Sequence, residues 1–375
     1  MNKLALYSCA AILSASAVAQ AAYAGVIVGS NQRIPIYTTL PARGVDTRIL
    51  DFQAATSATV PFFRSTITSP LDHKTYPFEM VGTNPMTNKV STTVKYVPLL
   101  LRVHFADGTV LDPTKPGCND TVSVSQRFYG SPLFKATPQV SNGVAVGTTQ
   151  VTDAYKRAEF WTYVRGSNYH VLLAAAANPR LIDVAAPPGS LTGPGGCAGS
   201  GHNLGQIDIN AWDTIVQQLN NKYATPSQLP IVAAYNVVQT QGGGCCIIGY
   251  HSAYSRTGGT QTYAVGAYVD PGEFQSAGLR DIHAWSHEIG EWMDDPFIDD
   301  GTPAWGHVGQ VSGCQNNLEN GDPLTGTAYI DKLNGFTYHP QELVFFSWFY
   351  RTPSIGTGGE YSYKGTFETA QGACH

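Results

Sequence analysis

Hydrophobic and polar positions change period repeatedly along this chain, and the clearest change lies between residues 231 and 296. Three runs, 231–238, 247–254 and 262–269, read as strands. From Ile282 the period lengthens. Ile282, Trp285, Ile289 and Trp292 recur three to four residues apart, which predicts a helix with one apolar stripe. Pro296 ends that helix, because the residue before a proline is pushed toward extended backbone. Gly290 inside it costs up to about 1 kcal/mol against alanine, which makes sense if another group approaches there.

The rest of the chain follows the same logic. Alternation of Tyr96, Leu99, Leu101 and Val103 predicts a hairpin over 94–110, turning at Ala106-Asp107-Gly108. Residues 121–128, 153–164 and 209–223 read as helices, with Asp153 capping the second and Asp208 or Asn210 near the start of the third. Residues 169–174 read as a strand and 187–205 as a Gly/Pro/Ser loop. The apolar run 343–350 reads as a buried strand or helix segment. Strands mixed with helices define an α+β protein with a mixed β-sheet, rich in β structure and long loops.

The first residues change the picture of where the chain works. Lys3, the apolar stretch 4–19 and the small-x-small site Ala22-Tyr23-Ala24 read as a secretory signal over 1–24. That stretch is short for a membrane span, which needs about twenty residues, so the chain is expected not to span the membrane after cleavage. Residues 25–90 are Thr- and Pro-rich and read as an N-terminal β/loop segment ahead of a main domain over 91–375. Besides Cys9 there are Cys118, Cys197, Cys245, Cys246, Cys314 and Cys374, an even set that suggests up to three disulfides in an exported chain. Cys245 and Cys246 are adjacent, so each is expected to bond elsewhere.

Charged residues make up 13% of the chain, about half the usual share, which suits a secreted β-rich protein. The net charge is −5 and there is no basic patch, so nucleic acid is excluded as a partner.

The chemistry concentrates in the predicted helix. Residues 281–296 contain His287-Glu288-x-x-Glu291. Positions i and i+4 share a helix face, so His287 and Glu291 can address one metal ion. Glu288 sits on the flank, placed to take a proton from metal-activated water. A catalytic zinc needs a third protein ligand. His283 is about 12 Å along a helix from Glu291, too far for comfort. His307, after the acidic loop 294–301, is the preferred third ligand, with Asp295 and His251 as alternatives. His251, or its neighbour Tyr250, is also a candidate for stabilising an oxyanion. Asp294, Asp295, Asp299 and Asp300 are a candidate calcium site, although a solvated acidic loop is the plainer account.

The helix resembles the active-site helix of zincin metallopeptidases, with Glu291 where the second histidine stands. The longer Ser286-His287-Glu288-x-x-Glu291 segment also resembles a group of secreted bacterial proteins. Matching stretches are 249–252 upstream and 306–309 with Cys314 downstream; in that group an acidic residue often replaces His307. The resemblance implies a zincin-like sheet whose edge strand lies above the cleft and pairs with an extended polypeptide. Residues 262–267 are the candidate edge. The function expected on these grounds is a zinc peptidase, with His287, Glu291 and His307 on the metal and Glu288 and His251 in catalysis. The alternative is a non-catalytic secreted or cell-surface binding protein that retains the helix.

Overall fold

The computed structural model describes residues 33–45, 58–197 and 202–375; the expected signal segment lies outside them. Along the chain, β1 (Ile36–Thr39) is followed by the hairpin β2 (Phe62–Thr68) and β3 (Thr75–Val81). The long β4 (Thr92–His104) turns into the two-residue β5 (Val110–Leu111). Then come α1 (Val124–Tyr129), the hairpin β6 (Thr137–Ser141) and β7 (Val144–Thr149), and the helices α2 (Val151–Glu159) and α3 (Trp161–Val164). Strands β8 (Val171–Ala175), β9 (Arg180–Ala185), β10 (Leu191–Pro194) and β11 (Asn203–Asp208) lead to α4 (Ile209–Tyr223). Strands β12 (Gln228–Tyr235), β13 (Val237–Gln241), β14 (Gly244–Arg256) and β15 (Gly259–Tyr268) lead to α5 (His283–Asp294). The hairpins β16 (Gly301–Val308)–β17 (Val311–Asn317) and β18 (Asp331–Leu333)–β19 (Phe336–Tyr338), then α6 (Phe346–Tyr350), complete the order.

Eleven strands form one curled mixed sheet in the order β10-β11-β13-β14-β15-β12-β4-β5, with β8 and β9 also pairing β4 and β1 lying parallel on β14. Side chains alternate between two cores, as strand geometry requires. On β12, Ile231, Ala233 and Tyr235 enter one core with Trp285, Ile289 and Trp292 of α5. Val232 and Ala234 enter the other core with Trp212 and Val216 of α4. The sheet is therefore covered on both faces, which explains its near-continuous apolar runs.

Several expectations need correcting. The 262–267 segment is not an edge: β15 is hydrogen-bonded to β14 on one side and β12 on the other. The expected strand 231–238 is two strands, broken at Asn236, whose φ of 51° is left-handed. The expected loop 187–205 contains β10 and the start of β11. Asp153 does not cap α2. It lies within the first turn, and its Oδ1 accepts the Val171 N–H at 2.6 Å, tying α2 to β8. Gly290 is explained by Leu343, since a β-carbon there would lie 2.3 Å from a Leu343 methyl.

The acidic loop is not a solvated one. Asp294 is buried against Lys156 and Asn320, and Asp295 accepts the Asp299 and Asp300 N–H groups at 3.1 Å each. Those four aspartates do not converge; Glu79, Asp299 and Asp300 do instead. Phe78 and Met80 of β3 share the core of α5, so the described part of the N-terminal segment packs with the rest.

Three disulfides join Cys118 to Cys197, Cys314 to Cys374 and, against expectation, Cys245 to its neighbour Cys246. Among the described residues no helix is long and apolar enough to cross a membrane.

Candidate metal centre

Helix α5 is buried along its whole length, including its polar trio. The stripe of Ile282, Trp285, Ile289 and Trp292 holds it in the core, and His287, Glu288 and Glu291 turn toward β14 and the 319–322 loop. His251 and Gly249 point toward the helix from β14, two residues apart on one strand face. Gly249 makes room for Glu288, because a β-carbon there would sit 2.7 Å from Oε1.

The geometry of His287 is fixed from three sides. Its ring stacks on Tyr37 of β1, centroids 3.5 Å apart and planes inclined by 16°. On another side Gly321 leaves no space for a side chain, its notional β-carbon falling 2.2 Å from Nδ1. Gln341 sets the tautomer. Its Nε2 donates to the Gly321 carbonyl at 2.6 Å, which turns Oε1 toward His287 Nδ1 at 3.1 Å. Oε1 can only accept, so Nδ1 carries the proton and Nε2 presents a bare lone pair. That Nε2 is buried with no hydrogen-bond donor on it. It lies 3.0 Å from Glu291 Oε1 and 3.6 Å from Asp322 Oδ1.

Glu291 is shared. Its Oε1 also accepts the Gly321 N–H at 2.9 Å, while Oε2 lies 3.6 Å from His251 Nδ1. His251 Nδ1 is in turn 3.1 Å from Glu288 Oε2. Glu319 joins His251 and Glu291 as a third group within ligand distance. Asp322 is steadied by Gln310, whose Nε2 donates to Oδ1 at 2.6 Å. Gln310 also grips the Tyr37 backbone, with Tyr37 N–H donating to Gln310 Oε1 at 2.8 Å and Gln310 Nε2 reaching Tyr37 O at 2.9 Å. Among the described residues, no lysine or arginine pairs with Glu288, Glu291, Glu319 or Asp322.

Burial dominates the electrostatics. It pushes Glu288 and Glu291 well above the usual carboxylate range, followed by repulsion from their acidic neighbours, and does the same to Glu319. Asp322 rises to about 6 by burial, offset by His287 and the Gln310 and Gln315 amides. His251 falls to about 3, through burial and then the charge of His287, and His287 falls to about 4 through burial. Burial raises the Tyr37 phenol, and Glu288, Glu291 and Asp322 raise it further. Protons alone would thus leave neutral imidazoles among partly protonated acids. A bound cation is the other way to settle such a cluster, and it would displace those protons.

The sequence-derived residues are placed as follows. His287, Glu288, Glu291 and His251 come together; His307 does not. His307 is exposed on the β16–β17 hairpin, with Nε2 3.3 Å from the His375 carbonyl and 3.9 Å from Cys314 Sγ. On that hairpin it is Gln310, at the turn, that reaches the cluster. Asp295 is held by the turn after α5, and His283 lies buried behind Tyr37 with ring centroids 6.4 Å apart. Tyr250 faces the opposite core and Asp213. The sequence reading missed Tyr37, Glu319, Asp322 and Gln341. The acidic pair around Asn320-Gly321 was the one local signal for any of them. Comparison with known proteins finds no family model, curated protein or solved structure that matches this chain.

Proposed function

We propose that the cluster is a divalent-metal centre and that the protein is a secreted metal-dependent hydrolase acting on polypeptides. The supporting observation is the bare His287 Nε2, buried and facing two carboxylate oxygens. Lone pairs facing lone pairs in a dry site repel unless a proton or cation lies between them. The donor set of imidazole and carboxylates suits zinc. His287, Glu291 and Asp322 would hold it, Asp322 taking the place expected of His307.

A zinc ion held there supplies Lewis acidity and acidifies water. Glu288 accepts the proton that the attacking water loses and passes it to the leaving amine. His251 Nδ1 lies 3.1 Å from Glu288 Oε2, at the edge of the same cluster. The paired disulfides and the lack of a membrane-spanning helix among the described residues are compatible with an exported chain.

The near-complete burial of every cluster residue favours a second reading, a non-catalytic binding protein with a structural ion. Two variants separate the readings. The purified protein should carry zinc by elemental analysis, and Glu291→Ala should carry none. Glu288→Gln should keep zinc yet lose peptide hydrolysis by roughly 10²–10⁴-fold. Wild-type protein that binds no zinc sinks both readings, and zinc-loaded protein inert toward a broad peptide library leaves the structural ion.

A further inference from the structure

Glu291 divides the cluster into two halves. Its Oε1 faces His287 Nε2 at 3.0 Å, which in turn lies 3.6 Å from Asp322 Oδ1. Its Oε2 faces His251 Nδ1 at 3.6 Å, with Glu319 within ligand distance of both residues. The two halves have different imidazoles and different second carboxylates, and Glu291 turns one carboxylate oxygen to each. Glu288 stands between them, near His287 and Glu291 on one side and His251 on the other.

We infer that the centre binds two divalent cations bridged by the Glu291 carboxylate. One position takes His287 Nε2, Glu291 Oε1 and Asp322 Oδ1. The other takes His251, Glu291 Oε2 and Glu319. This deepens the metal-centre reading above and rests on it.

Charge supports the count. Glu288, Glu291, Glu319 and Asp322 are all buried, with no lysine or arginine partner among the described residues. With all four carboxylates ionised, one divalent ion offsets two of them and two ions offset all four. Glu288 Oε1 points the same way. It is buried with no hydrogen-bond partner, although a lone carboxylate oxygen in a core seeks a donor or a cation. Carboxylate-bridged ion pairs about 3.5–4 Å apart are a familiar arrangement for activating water and holding a displaced oxygen together.

The test is a stoichiometry. Metal-free full-length protein is titrated with zinc by calorimetry, and the loaded protein is checked by elemental analysis. Two zinc ions per chain are expected. One per chain overturns the second position while leaving the metal-centre reading standing; none overturns both. His251→Ala and Asp322→Ala should each retain one ion. If His251→Ala keeps two, the assignment is wrong. Because a variant can fail to fold, the wild-type protein is also loaded with manganese and examined by electron paramagnetic resonance. A spin-coupled pair signal is expected, and an isolated-ion spectrum at full loading overturns the bridge.

Discussion

Each histidine around this centre has a different job, and His283 isolates the cost of burying one. Burial, and then the charge of His287, holds it down to about 3. In the fold it stays neutral between pH 3 and 6.5, while in the unfolded chain it takes up a proton below about 6.5. The unfolded state therefore binds more protons across that window, and stability falls as pH falls through it. In chelator-treated protein, His283→Leu should remove that share. The loss of unfolding free energy between pH 7 and 4.5 should shrink by about 2–3 kcal/mol at most, read from urea titrations at both pH values. An unchanged difference would mean that His283 protonates in place.

At the scale of elements, what matters is how closely backbone approaches α5. Gly321 lies flat against the His287 ring, with Tyr37 on the other side. Gly321→Ala would press a methyl into an aromatic ring that cannot retreat, costing about 2–3 kcal/mol and most of the metal affinity. Gly290→Ala meets only the tip of Leu343, a flexible side chain, and gains helix propensity of up to about 1 kcal/mol. It should stay within about 1 kcal/mol of wild type with metal binding intact. Urea unfolding with zinc titration checks both; equal effects would refute the sandwich.

The α5 helix and its trio were legible in the sequence because a helix brings i, i+1 and i+4 together without outside help. So was the apolar stripe that buries them. The partners were not. His251 arrives by strand pairing, Tyr37 by a parallel contact with β14, and Glu319 and Asp322 by a loop after a hairpin. No short-range period encodes such contacts. His307 looked suitable because it is the next histidine along the chain, yet on the β16–β17 hairpin it is exposed beside the His375 carbonyl, and Gln310 at the turn is what reaches the cluster. The strands were visible too, but not which of them lay at the edge, since that depends on β4 and β12 pairing in parallel across more than a hundred residues.

Across the whole molecule, the centre hangs on segments far apart in the chain, and the disulfides restrain one of them. Cys314–Cys374 closes a span of 60 residues that includes the 319–322 loop and Gln341. Chain entropy puts its contribution at about 4 kcal/mol, with measured values for such links usually about 2–4. Cys374→Ser should lower stability by that amount and weaken zinc binding, as measured by unfolding with and without metal. A loss of stability with unchanged affinity would show that the loop holds its shape unaided.

The seating of Tyr37 on His287 also bears on timing. Among the described residues β1 joins the sheet through β14 alone, and Gln310 fastens its backbone over the cluster. An ion that enters before β1 docks is enclosed once it does, so loading belongs to folding and release to local opening. Removal of zinc by a strong chelator should then be slow and should reach a rate that no longer rises with chelator concentration. Tyr37→Ala should raise that ceiling at least tenfold; a release rate that stays proportional to chelator in the wild type would show that the ion is reached from another side.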